Sequence, residues 1–407
     1  MEDPVEKRPV RRRFRNKGRQ GRHVWTVAGR VQVVRRWWHS PEQGSVAPAD
    51  AAIDGEPSSV SPGVREMVCR LNNDSSSFAR TASNLERTAQ IRLSREQIRQ
   101  LVLWEGARVQ AAQRSDAVRP SLAASGCSVS REDGESTTRV YLGVDGVLVP
   151  VVTESEKKKR REKVVQKRRE RGGRPRPLAP RRRGAQESYK EFKVITFYDE
   201  AGTRWHEVFS GRSRVRVGSV IRREAERVGF RSAAEKIANV DGASWIRDRL
   251  LEEMPTLRLD GLGLDYYHLS ENVHKARRWV FGPESEAGRA WADGLMETFR
   301  TGGYEAGWEA LLSWRSGLRG KKRKAANRLL RYVAERSEMI NYPEFRSRGW
   351  QIGSGPTESR CKTTTSRLKG RGRRWDMDNA EAVAALTCLM DNDQWQAYWA
   401  SQRAPCT

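Results

Sequence analysis

Cysteine is scarce in this sequence, and long apolar stretches are missing. The five cysteines are scattered, and no two of them form a C-x-x-C pair. We therefore predict neither a disulfide framework nor a structural zinc site, which fits a reducing compartment. No apolar run approaches the roughly 20 residues of a membrane-spanning helix. Because the amino terminus also lacks the apolar segment of a secretory signal, we expect a cytoplasmic protein.

Positive charge is what the sequence has in excess. Lys and Arg number 77 and Asp and Glu number 51, which gives a formal net charge of +26 over 407 residues. A charge of this size favours a polyanionic partner. Nucleic acid is a better interpretation than an anionic membrane surface, because nothing in the sequence suggests membrane insertion.

Residues 1–118 are predicted to form a small, mostly helical DNA-binding region. After a basic arm, "HVWTVAGRVQVVRRWWHS" is typical of two strands joined by a turn. Three short segments with helical periodicity follow between Val64 and Gln113. These helices suit a helix-turn-helix module, but a plain helical bundle with solvated arginines fits equally well. The composition of residues 119–137 is typical of a linker.

From Thr138 the pattern changes to three strands, a helix, a strand, a helix, a strand and then helices. This order implies an α/β fold, with a mixed sheet flanked by helices, and it is the order of a ribonuclease H-like core. We assign the core to residues 138–282 and 341–407, with a helical insertion at 283–340. The block at 156–183 holds fifteen basic and three acidic residues, so we predict a mobile basic loop there.

Three carboxylates are candidates for chemistry. Asp145 lies among apolar residues in "LGVDGVLVP", where Asp is disfavoured unless it is paired or binds a metal; a "DG" turn is the alternative. Asp241 ends the fourth predicted strand, where ligands collect, although it would also serve as a helix N-cap. Glu358 in "GSGPTE" is predicted at N3 of a helix with Gly355 as N-cap, a position that suits glutamate for structural reasons alone.

The residues after Glu358 favour a functional role for this carboxylate. A metal-bound carboxylate that must meet a phosphodiester needs neighbouring cations, whereas a helix cap does not. The cations that follow it, which we predict to contact DNA, are Arg360, Lys362, Arg367, Lys369, Arg371, Arg373 and Arg374. Three lysines of the 156–183 block are further predicted contacts: Lys157, Lys158 and Lys159.

Two Asp and one Glu supply hard oxygen ligands, which suit Mg²⁺ or Mn²⁺ better than zinc. Two such ions about 4 Å apart can activate water or a 3′-hydroxyl and stabilise the leaving oxygen of an in-line displacement. The pattern therefore predicts a site for two divalent ions.

Four motifs carry a family resemblance: "VDGVLVP", "VDGASWI", "LDYYHLSENV" and "IGSGPTESRCKTTTSRLKGRGRRW". From Val140 onward the chain resembles a DDE transposase of bacterial insertion sequences, of the ISKra-type group, distant relatives of the Mutator-like enzymes. The resemblance implies a ribonuclease H-like core with Asp145, Asp241 and Glu358 as metal ligands. It also implies a supporting D-x-x-H element at Asp265 and His268, although an isolated histidine is more often part of a core.

The resemblance also implies the biological role. We expect a transposase that binds the ends of its element and catalyses metal-dependent cleavage and strand transfer, as a homo-oligomer on nucleoid DNA. An inactive DNA-binding remnant and a nuclease of the same fold are the alternatives. Where the family has a zinc knuckle after its strand pair, this chain has "HSPEQG", which argues against zinc. The order of the strands predicts that Asp241, rather than Asp265, lies beside Asp145.

Overall fold

The structure is a computed structural model that describes residues 14–50, 59–131, 134–172, 177–211 and 213–403. The first 13 residues, which contain most of the predicted basic arm, therefore lie outside the described residues. The chain divides into two compact units, Met1–Arg114 with Trp395–Thr407 and Ser115–Gln394. Within the described residues, none of the helices has both the length and the apolar character that crossing a bilayer requires.

An antiparallel sheet opens the first unit. Its strands are β1 (Arg15–Thr26), β2 (Gly29–Ser40) and β3 (Gly44–Val46), in that spatial order. The hairpin turn lies at Val27 and Ala28, so β1 and β2 pair over most of their length. This pair is the strand–turn–strand unit that the β-branched and aromatic residues indicate.

Four helices complete the first unit: α1 (Pro62–Asn73), α2 (Phe78–Ala89), α3 (Arg95–Arg114) and α13 (Trp395–Arg403). Ser61 and Ser77 cap α1 and α2 through their side chains. A fully buried ion pair joins Arg65 of α1 to Glu105 of α3 at 3.0 Å. The carboxyl-terminal helix α13 clusters with this unit, whereas the sequence had assigned it to the catalytic core.

A mixed sheet forms the centre of the second unit. In chain order its strands are β4 (Ser128–Ser130), β5 (Ser136–Pro150), β6 (Tyr189–Tyr198), β7 (Trp205–Ser210), β8 (Glu235–Val240) and β9 (Gly261–Leu264). The spatial order is β7-β6-β5-β8-β9, and β4 pairs separately with β5. The three strands β5, β6 and β7 are antiparallel neighbours, whereas β8 and β9 run parallel to β5. The mixed α/β class is therefore confirmed.

Helices accompany this sheet in the second unit. They are α4 (Glu154–Glu170), which buries none of its side chains, and α5 (Val217–Arg227), α6 (Ser244–Leu257), α7 (Tyr266–Phe281), α11 (Gly355–Ser366) and α12 (Met377–Asp391). The core combines buried residues of the strands with those of α5, α6 and α7, including Val140, Ala238 and Leu250. Burial of this apolar surface is the main term that stabilises the unit.

The segment that the sequence assigned to a helical insertion is helical in the structure. It contains α8 (Glu286–Ser316) and α9 (Gly320–Ala334), and α10 (Tyr342–Ser347) follows. Gly303 bends α8 because its φ of 69° is outside the helical region. The rings of Trp291 and Trp314 stack with their centroids 4.1 Å apart on the apolar side of this helix.

Residues 156–183 differ from the sequence prediction of a mobile loop, because most of this block forms α4. Thr153 and Glu156 make a reciprocal capping box at the start of the helix. Lys, Arg, Glu and Gln are good helix formers, and no Gly or Pro interrupts them before Gly172. High charge alone was therefore a misleading sign of disorder. Lys157 also donates to the carbonyls of Arg182 and Arg183.

Candidate active site

Two of the predicted aspartates lie level with each other on adjacent strands. The parallel pairing of β5 and β8 sets Leu142 opposite Ala238. Asp145 stands three residues beyond Leu142, and Asp241 stands three residues beyond Ala238. Because this register brings both positions to the same edge of the sheet, it accounts for the interaction between their carboxylates.

Asp241 lies in an environment that disfavours its charge. Burial raises the pKa of Asp241, and the negative charge of Asp145 raises it further. A hydrogen bond from the Ala243 amide, at 2.9 Å, opposes these effects without outweighing them. Asp241 does not cap α6, because the N-cap residue is Ala243 and no side chain caps this helix. Its hydrogen bond closes a turn before the helix, and its carboxylate forms half of a repelling pair with Asp145.

Asp265 lies level with Asp241, at the end of the neighbouring strand β9. Val240 of β8 pairs with Leu264 of β9, and Asp241 and Asp265 are the residues that directly follow them. Unlike Asp241, it is almost fully buried, with 1% of its surface exposed. Both of its oxygens are used within the protein. One accepts a hydrogen bond from the His268 amide at 2.9 Å, and the other accepts bonds from the amide and hydroxyl of Ser354.

These contacts make Asp265 a stable anion. Burial alone would raise its pKa, but the hydrogen bonds from His268 and Ser354 outweigh burial and lower the pKa to about 2. Since Asp265 caps α7 and holds Ser354, the N-cap residue of α11, it fixes the starts of two helices at once. Its oxygens are engaged in this task.

His268 connects Asp265 with Glu358. Its Nδ1 lies 3.4 Å from Asp265 Oδ1 and 3.8 Å from Glu358 Oε1, and one ligand atom of each residue lies within 4.8 Å of the others. The contact with Asp265 raises the pKa of His268 to about 9 against the effect of burial, and Asp241 and Glu358 add to the rise. With no metal ion bound, the ring is therefore an imidazolium at neutral pH.

Close contact with β5 positions the helix that carries Glu358. A Cβ on Gly143 would overlap the Thr357 side chain, so glycine lets α11 lie directly on the strand that carries Asp145. The helix begins at Gly355 with Ser354 as N-cap, one residue earlier than the sequence predicted. Glu358 is thus displaced by one position from N3 but remains in the first turn.

Sequence reasoning missed a contact between Cys361 and Asp145. The Cys361 thiol interacts electrostatically with the Asp145 carboxylate. Burial raises the pKa of this thiol, and the charge of Asp145 adds to the rise, so the thiol stays protonated. Cys361 follows Glu358 by three residues, nearly one helical turn. That spacing was the available signal, but nothing in the sequence identified Asp145 as its partner.

The carboxylates at this edge of the sheet are candidate ligands of a divalent ion. Asp145 and Asp241 repel each other, and Glu358 reaches the same cluster through its contact with His268. Carboxylate oxygens are the usual ligands of Mg²⁺ and Mn²⁺. A bound cation would also relieve the repulsion between neighbouring carboxylates. The donor chemistry of Asp145, Asp241 and Glu358 therefore fits such an ion. By distance, however, the ligand atoms that lie within 4.8 Å of one another in the described part of the chain belong to Asp265, His268 and Glu358, and the Asp265 oxygens also accept hydrogen bonds from Ser354 and His268.

Five of the predicted DNA contacts interact with the protein itself. Arg367 is buried, and its guanidinium lies over the Trp375 ring at 5.5 Å. Lys157 forms an ion pair with Asp376 at 2.5 Å. The other three are Arg360 over the Trp205 ring, Arg373 at the carbonyls of residues 366, 367 and 369, and Arg374 beside Glu156. These arginines stabilise the region around α11.

The other five predicted contacts are exposed: Lys158, Lys159, Lys362, Lys369 and Arg371. Lys158 also lines an open groove of about 580 Å³, together with Arg161 and Arg169 of α4 and with Arg181. Exposed side chains of this kind can meet phosphates without first breaking an internal contact.

A model of an uncharacterised protein family, UPF0236, matches residues 4–192, so this part of the chain is similar to that family. The matched segment contains Asp145 but ends before Asp241, Asp265 and Glu358. Among curated proteins, none matches the chain.

Proposed function

We propose that this protein is a DNA transposase, which binds the ends of its element and catalyses metal-dependent strand cleavage and strand transfer. One observation carries the proposal: at one edge of the sheet, Asp241 interacts electrostatically with both Asp145 and His268, and His268 also contacts Glu358. Structural caps alone would not need this convergence.

The topology supports a ribonuclease H-like core. Three antiparallel strands, β5 to β7, are followed by two strands that extend the sheet in parallel on the other side of β5. The first strand is central, and the carboxylates lie beside the point where β8 and β9 end. Ligand sites of open α/β sheets collect at such carboxyl ends.

Asp145, Asp241 and Glu358 are the residues that would hold Mg²⁺ or Mn²⁺. When bound, two such ions would activate the attacking water or 3′-hydroxyl and stabilise the leaving oxygen. The chain's own contribution is positional. Asp265 fixes Ser354 and thereby the start of α11. Protonated His268 keeps the Glu358 carboxylate near the cluster.

Charge supports DNA as the substrate. The exposed cations Lys362, Lys369 and Arg371 follow Glu358 within α11 and the segment after it. They would neutralise phosphates beside the carboxylates, and such contacts make affinity depend steeply on salt. An assembly of several copies on DNA is part of this proposal, because an element has two ends to be joined.

The test compares Glu358→Gln with Glu344→Gln, a control in which an exposed carboxylate paired with Arg348 is removed. Glu358→Gln should bind DNA normally but lose Mg²⁺-dependent cleavage by orders of magnitude, since metal catalysis supplies several kcal/mol of charge stabilisation. The control should cleave like the wild type. The DNA is the sequence that flanks the gene on each side, and products are resolved on sequencing gels.

The products also separate the alternatives. Products in which the 3′ ends of the element are joined to target DNA support transposition. Cleavage without such joining identifies a nuclease of the same fold. Binding without any cleavage in either metal identifies an inactive remnant. Unimpaired cleavage by Glu358→Gln would refute the assignment of the three carboxylates.

A further inference from the structure

The hairpin of β1 and β2 carries a concentration of positive charge that the catalytic proposal does not use. Residues 14–40 contain seven Lys or Arg side chains and no Asp or Glu. Each strand is 12 residues long. Strands rise by about 3.4 Å per residue, so the ribbon extends over roughly 40 Å.

One face of this ribbon is occupied by the protein. Val24 is buried, with 2% of its surface exposed. Two arginines of the same face, Arg22 and Arg35, form ion pairs with Asp50. The Arg35 guanidinium and its charge contribute to lowering the pKa of Asp50 against the effect of burial. These cations are neutralised and serve the fold.

The opposite face is exposed. The register sets Arg19 opposite Arg36, Gly21 opposite Val34, and His23 opposite Gln32, and all six residues are exposed. We call these three cross-strand pairs the ribbon face. Like charges directly opposite each other destabilise a sheet. Within the described residues, no acidic side chain forms an ion pair with Arg19 or Arg36, so an external anion would relieve their repulsion.

We propose that the ribbon face docks in the major groove of duplex DNA. A two-stranded ribbon fits this groove of about 12 Å, whereas the minor groove, at about 6 Å, is too narrow. The side chains suit base edges, because Arg pairs with guanine, Gln with adenine, and an apolar side chain such as Val contacts the thymine methyl. The proposal rests on the proposed DNA function, but it assigns a groove and a set of residues.

Single-stranded DNA is a poorer match for the same surface. Sites for single strands rely on aromatic rings that stack with successive bases. The three pairs of the ribbon face contain no Trp, Tyr or Phe, and their single ring is the imidazole of His23. The major groove of a duplex presents hydrogen-bond acceptors to the Arg and Gln side chains and thymine methyl groups to the Val side chain.

The test uses the full-length protein with Arg19→Ala/Arg36→Ala. Its matched control is Arg231→Ala/Arg289→Ala, which removes the same charge from exposed arginines already paired with Glu226 and Glu284. Affinity is measured for a duplex of about 30 base pairs, roughly three helical turns, and for the corresponding single strand. The ribbon variant should lose about tenfold or more in duplex affinity for each base contact, and the control should not.

Groove-specific probes complete the test. Methylation of guanine N7, which lies in the major groove, should weaken binding of the wild type but not weaken the ribbon variant further. Netropsin, a minor-groove ligand, should leave binding unchanged. Equal duplex affinity of the ribbon variant and the control, an equal loss on single strands, or displacement by netropsin would each overturn the proposal.

Thermal stability and DNA cleavage are measured alongside DNA affinity. Thermal unfolding should be unchanged in the ribbon variant, because Arg19 and Arg36 are exposed. If it is lowered, Arg19→Gln/Arg36→Gln repeats the test with polar side chains of smaller volume. A protein that binds duplex through the ribbon face but cleaves no DNA would refute the proposed catalysis and leave this inference standing.

Discussion

Replacing Asp241 and Asp265 by asparagine should change stability in opposite directions. The two residues stand at equivalent ends of neighbouring strands, yet their environments differ. Asp265 is held by hydrogen bonds that favour its charge, whereas burial and Asp145 disfavour the charge of Asp241. Asn removes the charge with little change of volume, so each variant measures what the charge contributes.

The magnitude for Asp265 follows from its pKa, which falls from 3.8 to about 2. This difference corresponds to about 2 kcal/mol of stability in favour of the ionised form. The contribution is fully present above pH 3.8 and is lost as pH falls through 2. At neutral pH and in EDTA, Asp265→Asn should therefore lower Tm by roughly 4–8 °C. The difference from the wild type should vanish near pH 2.

Asp241→Asn should raise Tm in EDTA, because it removes a buried charge that Asp145 repels. The same variant should lose most of the Tm increase that Mn²⁺ gives the wild type, since a ligand stabilises only the state that binds it. Cleavage should be abolished in both Mg²⁺ and Mn²⁺. Asp265→Asn should keep the Mn²⁺ effect and measurable cleavage.

Differential scanning fluorimetry across a metal titration, with gel-based cleavage, measures all of these quantities. Asp248→Asn is the control, because it removes an exposed carboxylate of α6 that is paired with Arg247. Its Tm and its response to Mn²⁺ should match the wild type. If Asp265→Asn loses the Mn²⁺ effect while Asp241→Asn retains it, the roles of the two aspartates must be exchanged.

Two other predictions concern the support of α11. Glu207 accepts a hydrogen bond from the Thr364 hydroxyl of α11 at 2.9 Å. Burial raises the pKa of Glu207 from 4.5 to about 8, so wild-type stability should fall by up to about 5 kcal/mol as pH rises through this range. Glu207→Gln should flatten the profile in urea unfolding, and an equally steep fall would contradict the argument. Gly143→Ala should cost about 1–3 kcal/mol and reduce cleavage, because its Cβ overlaps Thr357. Adding Thr357→Ala should restore part of both losses, and no recovery would count against this packing.

The sequence was informative where local chemistry decides the structure. Alternating β-branched residues identified β1 and β2, and helical periodicity identified the three helices that follow. An aspartate within an apolar strand and one at the end of another identified Asp145 and Asp241 as candidates. In each case the signal lies within a few neighbouring residues, so it can be read without knowing the tertiary structure.

Long-range contacts were not predictable in this way. Asp265 is held by Ser354, which is 89 residues away, and no local pattern connects them. Arg367 looked like its exposed neighbours in a basic run, but it is buried against Trp375. The charge of residues 156–183 suggested a loop, although the capping box at Thr153 and the lack of helix breakers favour α4. Which cations face solvent depends on packing that composition does not encode.

The division of roles among the acidic residues follows from this difference between local and long-range information. Local position does not distinguish Asp241, Asp265 and Glu358, because each stands near the start of a helix beside the sheet edge. Hydrogen bonding separates them. Both oxygens of Asp265 accept hydrogen bonds at the starts of α7 and α11. These bonds lower its pKa, and the role that they indicate is structural. Asp241 retains an unfavourable charge next to Asp145. A fold keeps such a charge at a cost in stability, and a bound cation is the partner that would reverse this cost.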